Sequence, residues 1–332
     1  MTTAVQGHEF RIRAARPLPG GTLRTLTRLS PVRSTLSLLQ TFGLTAAALA
    51  LAVRFPQPLV IAAAIVFLAG QQHALAILAH QSAHYRLYET RWLNDLCGKL
   101  CGIPLGVSMV TYRVIHRIHH NNLYSPIDPD LPLMAGYPRG RAYLALKLAK
   151  DLLGATTLKN YAYFFGVRRA ATGGKGRLPR EGTATVLDDT APALREAARR
   201  DRVLVVAANL ALFGALIATG AFGWYLLLWV LPLATLLQVL LRLRAVLEHG
   251  AVPDTADALR AARTTLAPWW VRWLVYPHNM NYHVEHHLYP AIPHYRLPQA
   301  HRALAEAGLL ELAEISPGLG ESLRRIARPA AS

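Results

Sequence analysis

Four long apolar runs constrain this chain more than any other feature. Leu36 to Val53, Leu59 to Ala79, Val203 to Thr219 and Trp224 to Leu241 are each about the length a helix needs to cross a bilayer's hydrocarbon core. The short turn Phe55-Pro56-Gln57-Pro58 joins the first pair, and Gly220-Ala221-Phe222-Gly223 joins the second. The sequence therefore predicts an all-α integral membrane protein with four transmembrane helices in two hairpins. Trp224 and Tyr225 fall where amphipathic aromatics favour the membrane interface.

Charge supports this reading once its placement is considered. Lys and Arg number 36 against 19 Asp and Glu, a formal net charge of +17. Such an excess suits nucleic acid, whose phosphates a basic chain can neutralise. Here, however, most arginines flank the apolar runs and no basic recognition motif accompanies them, so nucleic acid is not an expected partner. The N-terminal arm and the segment after Phe165 are rich in Arg, while the hairpin turns have none beyond Arg54 at a run's edge. The positive-inside rule then puts both termini and the middle segment on the cytosolic side. The expected organisation is a basic arm (1–35), a membrane domain (36–304) and a C-terminal tail (305–332). Trp92 to Met109, interrupted by glycines and Pro104, is read as buried or interfacial. Tyr143 to Phe165 is read as an amphipathic helix on the membrane surface. Gly173 to Gly176 begins a loop expected to be mobile. Cys97 and Cys101, too few for a disulfide framework, read as buried small residues.

The histidines carry the chemistry. His80 and His84 form HQSAH directly after the second run; His116, His119 and His120 form HRIHH; His283, His286 and His287 form HVEHH. A ninth, His249, follows the fourth run. Residues three and four apart share a helix face, so each cluster is expected to aim its imidazoles at a common point. One HxxHH triple arises by accident in only about one such chain in forty, a false-positive rate that two triples together escape. Nine imidazoles exceed the needs of one metal, since structural zinc takes four ligands. Two ions with four or five nitrogens each would use the set, and imidazole alone suits zinc, copper, iron or nickel.

HQSAH, HRIHH and HVEHH, placed around two apolar hairpins, resemble the histidine boxes of membrane fatty acid desaturases. The stretch Pro277-His278-Asn279-Met280-Asn281-Tyr282-His283-Val284-Glu285-His286-His287-Leu288-Tyr289-Pro290 is especially similar to that family's third box. Asn94-Asp95 and Asp128-Pro129-Asp130 extend the likeness, which runs from about Leu36 to Leu304. The resemblance implies two Fe ions held in a cytosolic helical cap, with O2 as co-substrate and an acyl chain as substrate. It implies removal of two hydrogens to form a double bond. Because no electron-carrier motif is visible, it also implies an external donor of ferredoxin, rubredoxin or cytochrome b5 type. His249 corresponds to the extra histidine these enzymes carry outside the boxes. Hydroxylation of a lipid or carotenoid on the same scaffold is the near alternative. A membrane metal transporter or sensor is the alternative from another class, but transport favours polar ligands at mid-membrane.

Other polar residues are assigned with them. Some of Asp95, Asp128, Asp130, Glu248 and Glu285 are expected to brace ligand histidines by accepting their second N–H, with direct ligation of a metal the less favoured alternative. Asn279 and Asn281 are expected to contact a metal-bound water or to cap a helix. Arg113, Arg242 and Arg244 are read either as anionic head-group contacts or as part of the positive-inside pattern. His73, inside the second run, has no assigned role. His278, His294 and His301 are read as interfacial or surface residues, and His8 as part of the arm.

Overall fold

The computed structural model describes residues 18–164 and 190–329. Residues 1–17 of the basic arm and the Gly173 to Gly176 loop lie outside them. Among the described residues the chain is all-α apart from one parallel two-residue bridge, Thr264–Thr265 with Ile315–Ser316. Four helices are long and apolar enough to cross a membrane: Pro31–Arg54, Pro58–Ala83, Pro192–Ala218 and Phe222–His249. Three begin with proline in the first turn, where the missing N–H had no helical acceptor anyway.

Each helix outruns the apolar stretch that announced it. Backbone hydrogen bonding does not stop where side chains become polar, so the second helix carries on through His80 and the fourth through His249. The third starts at Pro192, in a charged stretch where Glu196 pairs with Arg199 and Arg200 at 2.8 and 2.7 Å. The four also divide into two kinds. Only 17% and 11% of the apolar windows of the first and third are buried, against 56% and 39% for the second and fourth. Exposed Leu36, Leu39, Leu204 and Leu210 on the first and third suit hydrocarbon. The second and fourth are the packed pair, and they carry His80 and His249 at their ends.

The fourth helix is irregular where Pro232 interrupts its hydrogen-bond ladder. A π-turn spans Leu226–Val230, and Thr235 leaves helical geometry at φ −124°. Buried Gln72 of the second helix donates to the Trp229 carbonyl there at 2.8 Å, satisfying a polar group that hydrocarbon would not.

Between the helix pairs lies Arg91–Gly102, with Cys97 and Cys101 buried and Trp92, Leu96 and Leu100 exposed. Gly98 allows its close approach to the HQSAH turn: a Cβ there would lie 2.1 Å from Ser82 Oγ. The helix expected over Tyr143 to Phe165 is broken in two, Gly140–Leu152 and Thr157–Phe164, because Gly154 turns the chain at φ +72°. Residues expected as a C-terminal tail include the helix Leu319–Ile326, whose Ile326 is fully buried against Val246 and Val271. The buried Arg263–Glu314 ion pair, 2.9 Å, fastens the same region to the centre of the chain.

Candidate metal centre

Four segments deliver the nine histidines. The end of the second long helix supplies His80 and His84, and the end of the fourth supplies His249. HRIHH lies on the helix Met109–Asn121 and HVEHH on the short helix His283–Leu288. Both short helices are capped by residues the sequence had not singled out. Asp201, buried on the third long helix, accepts from Ser108 Oγ at 2.7 Å and from the Val110 N–H at 3.0 Å, placing a negative group at the start of the HRIHH helix. Thr264 Oγ1 accepts the Val284 N–H at 3.1 Å at the start of the HVEHH helix. The HRIHH helix also has a local N-cap, Ser108, which accepts the Thr111 N–H at 3.4 Å, but the distant Asp201 and Thr264 leave no local pattern to find them by.

The imidazoles gather into two adjoining groups. The donor nitrogens of His80, His84, His116, His120 and His286 all lie within 4.8 Å of one another, and so do those of His119, His249 and His287. His283 joins the second group, with its Nε2 2.8 Å from His249 Nε2 and 3.1 Å from His287 Nε2. The expectation that each cluster converges on one point needs correction, because both triples are split. In each, the i, i+4 pair (His116 with His120, His283 with His287) stays together, while the i+3 ring (His119, His286) joins the opposite group. Adjacent helix positions are rotated by about 100°, so neighbouring histidines cannot share one target.

These groups suit a cation. Within the first group too Nε2 faces Nε2: His84 with His116 at 2.7 Å, His286 with His120 at 3.1 Å. Burial holds His84 down at about 3, and Arg86 adds to the effect. Burial likewise lowers His116, His120, His283, His286 and His287, assisted by the neighbouring histidines. Neutral rings whose lone pairs converge need a cation between them, and neutral imidazole is the ligating form. His80 Nε2 is buried with no partner at all. His119 alone runs the other way: burial opposes its protonation, but the Asp128 carboxylate outweighs it and raises its pKa.

The expected bracing acids behave differently from one another. Asp128 fits its role, lying 3.0 Å from His119 Nδ1 while accepting the Tyr124 and Asp130 N–H groups. Asp130 stands further off, at 3.6 Å from the same nitrogen. Glu248 lies 3.4 Å from His283 Nε2. Asp95 pairs instead with Arg113 at 2.6 Å. Glu285 accepts from Thr264 Oγ1 at 2.6 Å and meets His301 Nδ1 at 2.5 Å, so it anchors the HVEHH helix rather than a ligand ring. His301 thus belongs to the support of the centre and not to the surface. His294 is 2% exposed and His278 half-buried, facing Ser37 and Thr41 of the first long helix at 3.0 and 3.2 Å. Asn279 and Asn281 donate to the carbonyls of His294 and Thr265, at 3.2 and 3.1 Å. Arg113, Arg242 and Arg244 each pair with an internal carboxylate: Asp95, Asp151 and Glu248.

A cavity of about 290 Å³ opens beside the second group. His116, His119, His249 and His283 form its inner end, Leu105, Val107, Ile115, Leu237 and Leu241 its apolar wall, and Lys147, Lys159 and Asn160 also line it. A separate recess holds Arg24, Arg28, Arg86 and Arg91. Arg86 reaches from it to the His84 carbonyl at 3.0 Å.

The fatty acid desaturase family model matches residues 56–315. Among curated relatives, the chain is 24% identical over 240 residues to an omega-6 fatty acid desaturase (endoplasmic reticulum isozyme 1) of Glycine max, covering 69% of this chain and 61% of that one. It is 25% identical over 253 residues to the dihydrorhizobitoxine desaturase of Bradyrhizobium elkanii, covering 72% of this chain and 66% of that one. A shorter match, 39% over 57 residues, is to an sn-1 acyl-lipid omega-3 desaturase (ferredoxin) of Nostoc, covering 17% and 16%. The matches span less than two thirds of the length of these relatives.

Proposed function

This chain belongs to the fatty acid desaturase family, and we propose that it desaturates a fatty acyl chain at a pair of irons held by its nine grouped histidines. The observation that carries the reading is the meeting of two imidazole groups with an apolar cavity at one end of the packed helices. His80, His84, His116, His120 and His286 would hold one ion, and His119, His249, His283 and His287 the other. Iron bound there supplies O2 activation and the removal of hydrogen from an unactivated carbon. The protein's part is position and exclusion of water. The wall of Leu105, Val107, Leu237 and Leu241 accepts an acyl chain, and Lys147 and Lys159 suit an anionic head group or carrier.

Electrons come from an external carrier of ferredoxin, rubredoxin or cytochrome b5 type. The arginine recess behind His84 offers an acidic carrier a landing site next to the centre. The arginine distribution supports a cytosolic side for the histidine groups and both termini.

The test is lipid profiling of cells expressing the chain, beside metal analysis of detergent-purified protein. The expected result is an acyl product lighter by two hydrogens and about two irons per chain, with the product absent and one iron lost in His286→Ala. A product that gains oxygen instead would replace desaturation with hydroxylation. An unchanged lipid profile with no iron would end the reading.

A further inference from the structure

We propose that Glu248 is a tenth ligand, its carboxylate bound directly to the metal position that His119, His249, His283 and His287 surround; the proposal rests on the metal-centre reading above. Which nitrogen each acid faces separates the roles. Asp128 lies against His119 Nδ1, the outer nitrogen, as a bracing carboxylate should. Glu248 Oε2 lies 3.4 Å from His283 Nε2, the nitrogen that also faces His249 and His287. That is the ligating side of the ring. His283 Nδ1, where a bracing acid would accept a hydrogen bond, has no partner.

Glu248 is 2% exposed, and its Oε1 is buried without any hydrogen-bond partner. A desolvated carboxylate oxygen with no donor is costly unless a cation meets it. Its ligand atom and those of His249 and His283 all lie within 4.8 Å of one another. Among the described residues no other carboxylate shares such a group with the histidines. Coordination also evens the count, giving each ion five protein ligands and setting one negative charge against two divalent cations otherwise held by neutral rings.

The orientation of Glu248 is fixed from behind. Arg244 Nε donates to Oε2 at 2.9 Å, and Arg244 in turn lies 3.5 Å from His73 Nε2. His73 is anchored through Nδ1 to the Leu274 carbonyl at 3.1 Å. A histidine inside a spanning helix thereby acquires a role, as the far end of the brace His73–Arg244–Glu248.

The deciding measurement is a structure of the detergent-purified, zinc- or iron-loaded full chain, with the ions located by anomalous scattering. A Glu248 oxygen at a ligand distance of about 2.0–2.2 Å is expected. In parallel, Mössbauer spectra of ⁵⁷Fe-loaded protein should show two unlike irons, with one signal moved by Glu248→Gln and the other unchanged. Two ions on the nine histidines with both Glu248 oxygens out of bonding range would overturn the proposal and leave the metal centre standing. Fewer than two ions on those histidines would overturn both. If Glu248→Gln fails to fold, the loaded wild-type structure still decides.

Discussion

The two histidine groups touch, yet they are built differently. The five-ring group (His80, His84, His116, His120, His286) contains no carboxylate and rests on burial and on the end of the second long helix. The four-ring group (His119, His249, His283, His287) has Asp128 behind one ring and Glu248 against another, and it supplies three of the four rings at the inner end of the cavity, His116 of the other group supplying the fourth. Two metals held this way would differ in charge environment and in access to substrate. The difference teaches that a near-symmetric set of sequence motifs can yield an asymmetric site once distant acids are added.

The largest effects should come from deleting one ring on each side. His84→Ala and His287→Ala are each expected to lose one iron and to abolish desaturation, because the proposed reaction uses both ions; iron counting and product analysis check this. Substantial activity in either variant would break the comparison, since one group would then suffice.

Acid should single out His119 from the other rings next. In metal-stripped protein His84, His116 and His120 are held neutral below their usual pKa. The unfolded chain then binds more protons than the folded one as pH falls below about 6.5, so stability should drop from there toward pH 3. His119 has the opposite sign: its pKa is raised, so its contribution is present at low pH and fades as pH rises through the raised value. The check is a set of unfolding midpoints across pH for the stripped wild type and His119→Gln. The variant should lose more stability than the wild type at the acid end.

Asp128→Asn should weaken metal binding at the four-ring group by about 10- to 100-fold, as loss of an outer partner typically does. A chelator competition should then show one iron leaving early and the other on its normal schedule. Gly98→Ala should act on the five-ring side, forcing Ser82 and the HQSAH turn apart at a cost of about 1–3 kcal/mol. A thermal shift together with loosened iron at that group would show it. Asp201→Ala, which removes the carboxylate backing the Ser108 cap of the HRIHH helix, should cost about 1–2 kcal/mol and loosen both groups alike, since that helix feeds both.

Much of this was legible beforehand, and the failures are informative. Hydropathy found the four long helices but cut each short at one end or both, because it senses the solvent and not the backbone ladder that carries His80 and His249 beyond it. Gly154 was visible in the sequence, yet its power to break the amphipathic helix depended on a left-handed turn that many glycines never adopt. His301 carried no motif and gained its role from Glu285, sixteen positions away. Asp201 reached the HRIHH helix from more than ninety positions away, so no local window could have related them.

The sequence by itself determined an all-α membrane chain and nine histidines fit for metal, because apolar length and i, i+3, i+4 spacing are local properties. It could not say which ring goes with which. HRIHH and HVEHH look like units, but each is divided between two groups, and only the packing of four separate segments decides how. Tertiary structure also sorted the acids, setting Asp128 behind a ring and Glu248 in front of one. The physical reason is that coordination is a convergence of directions in space, and sequence spacing fixes those directions only within a single helix.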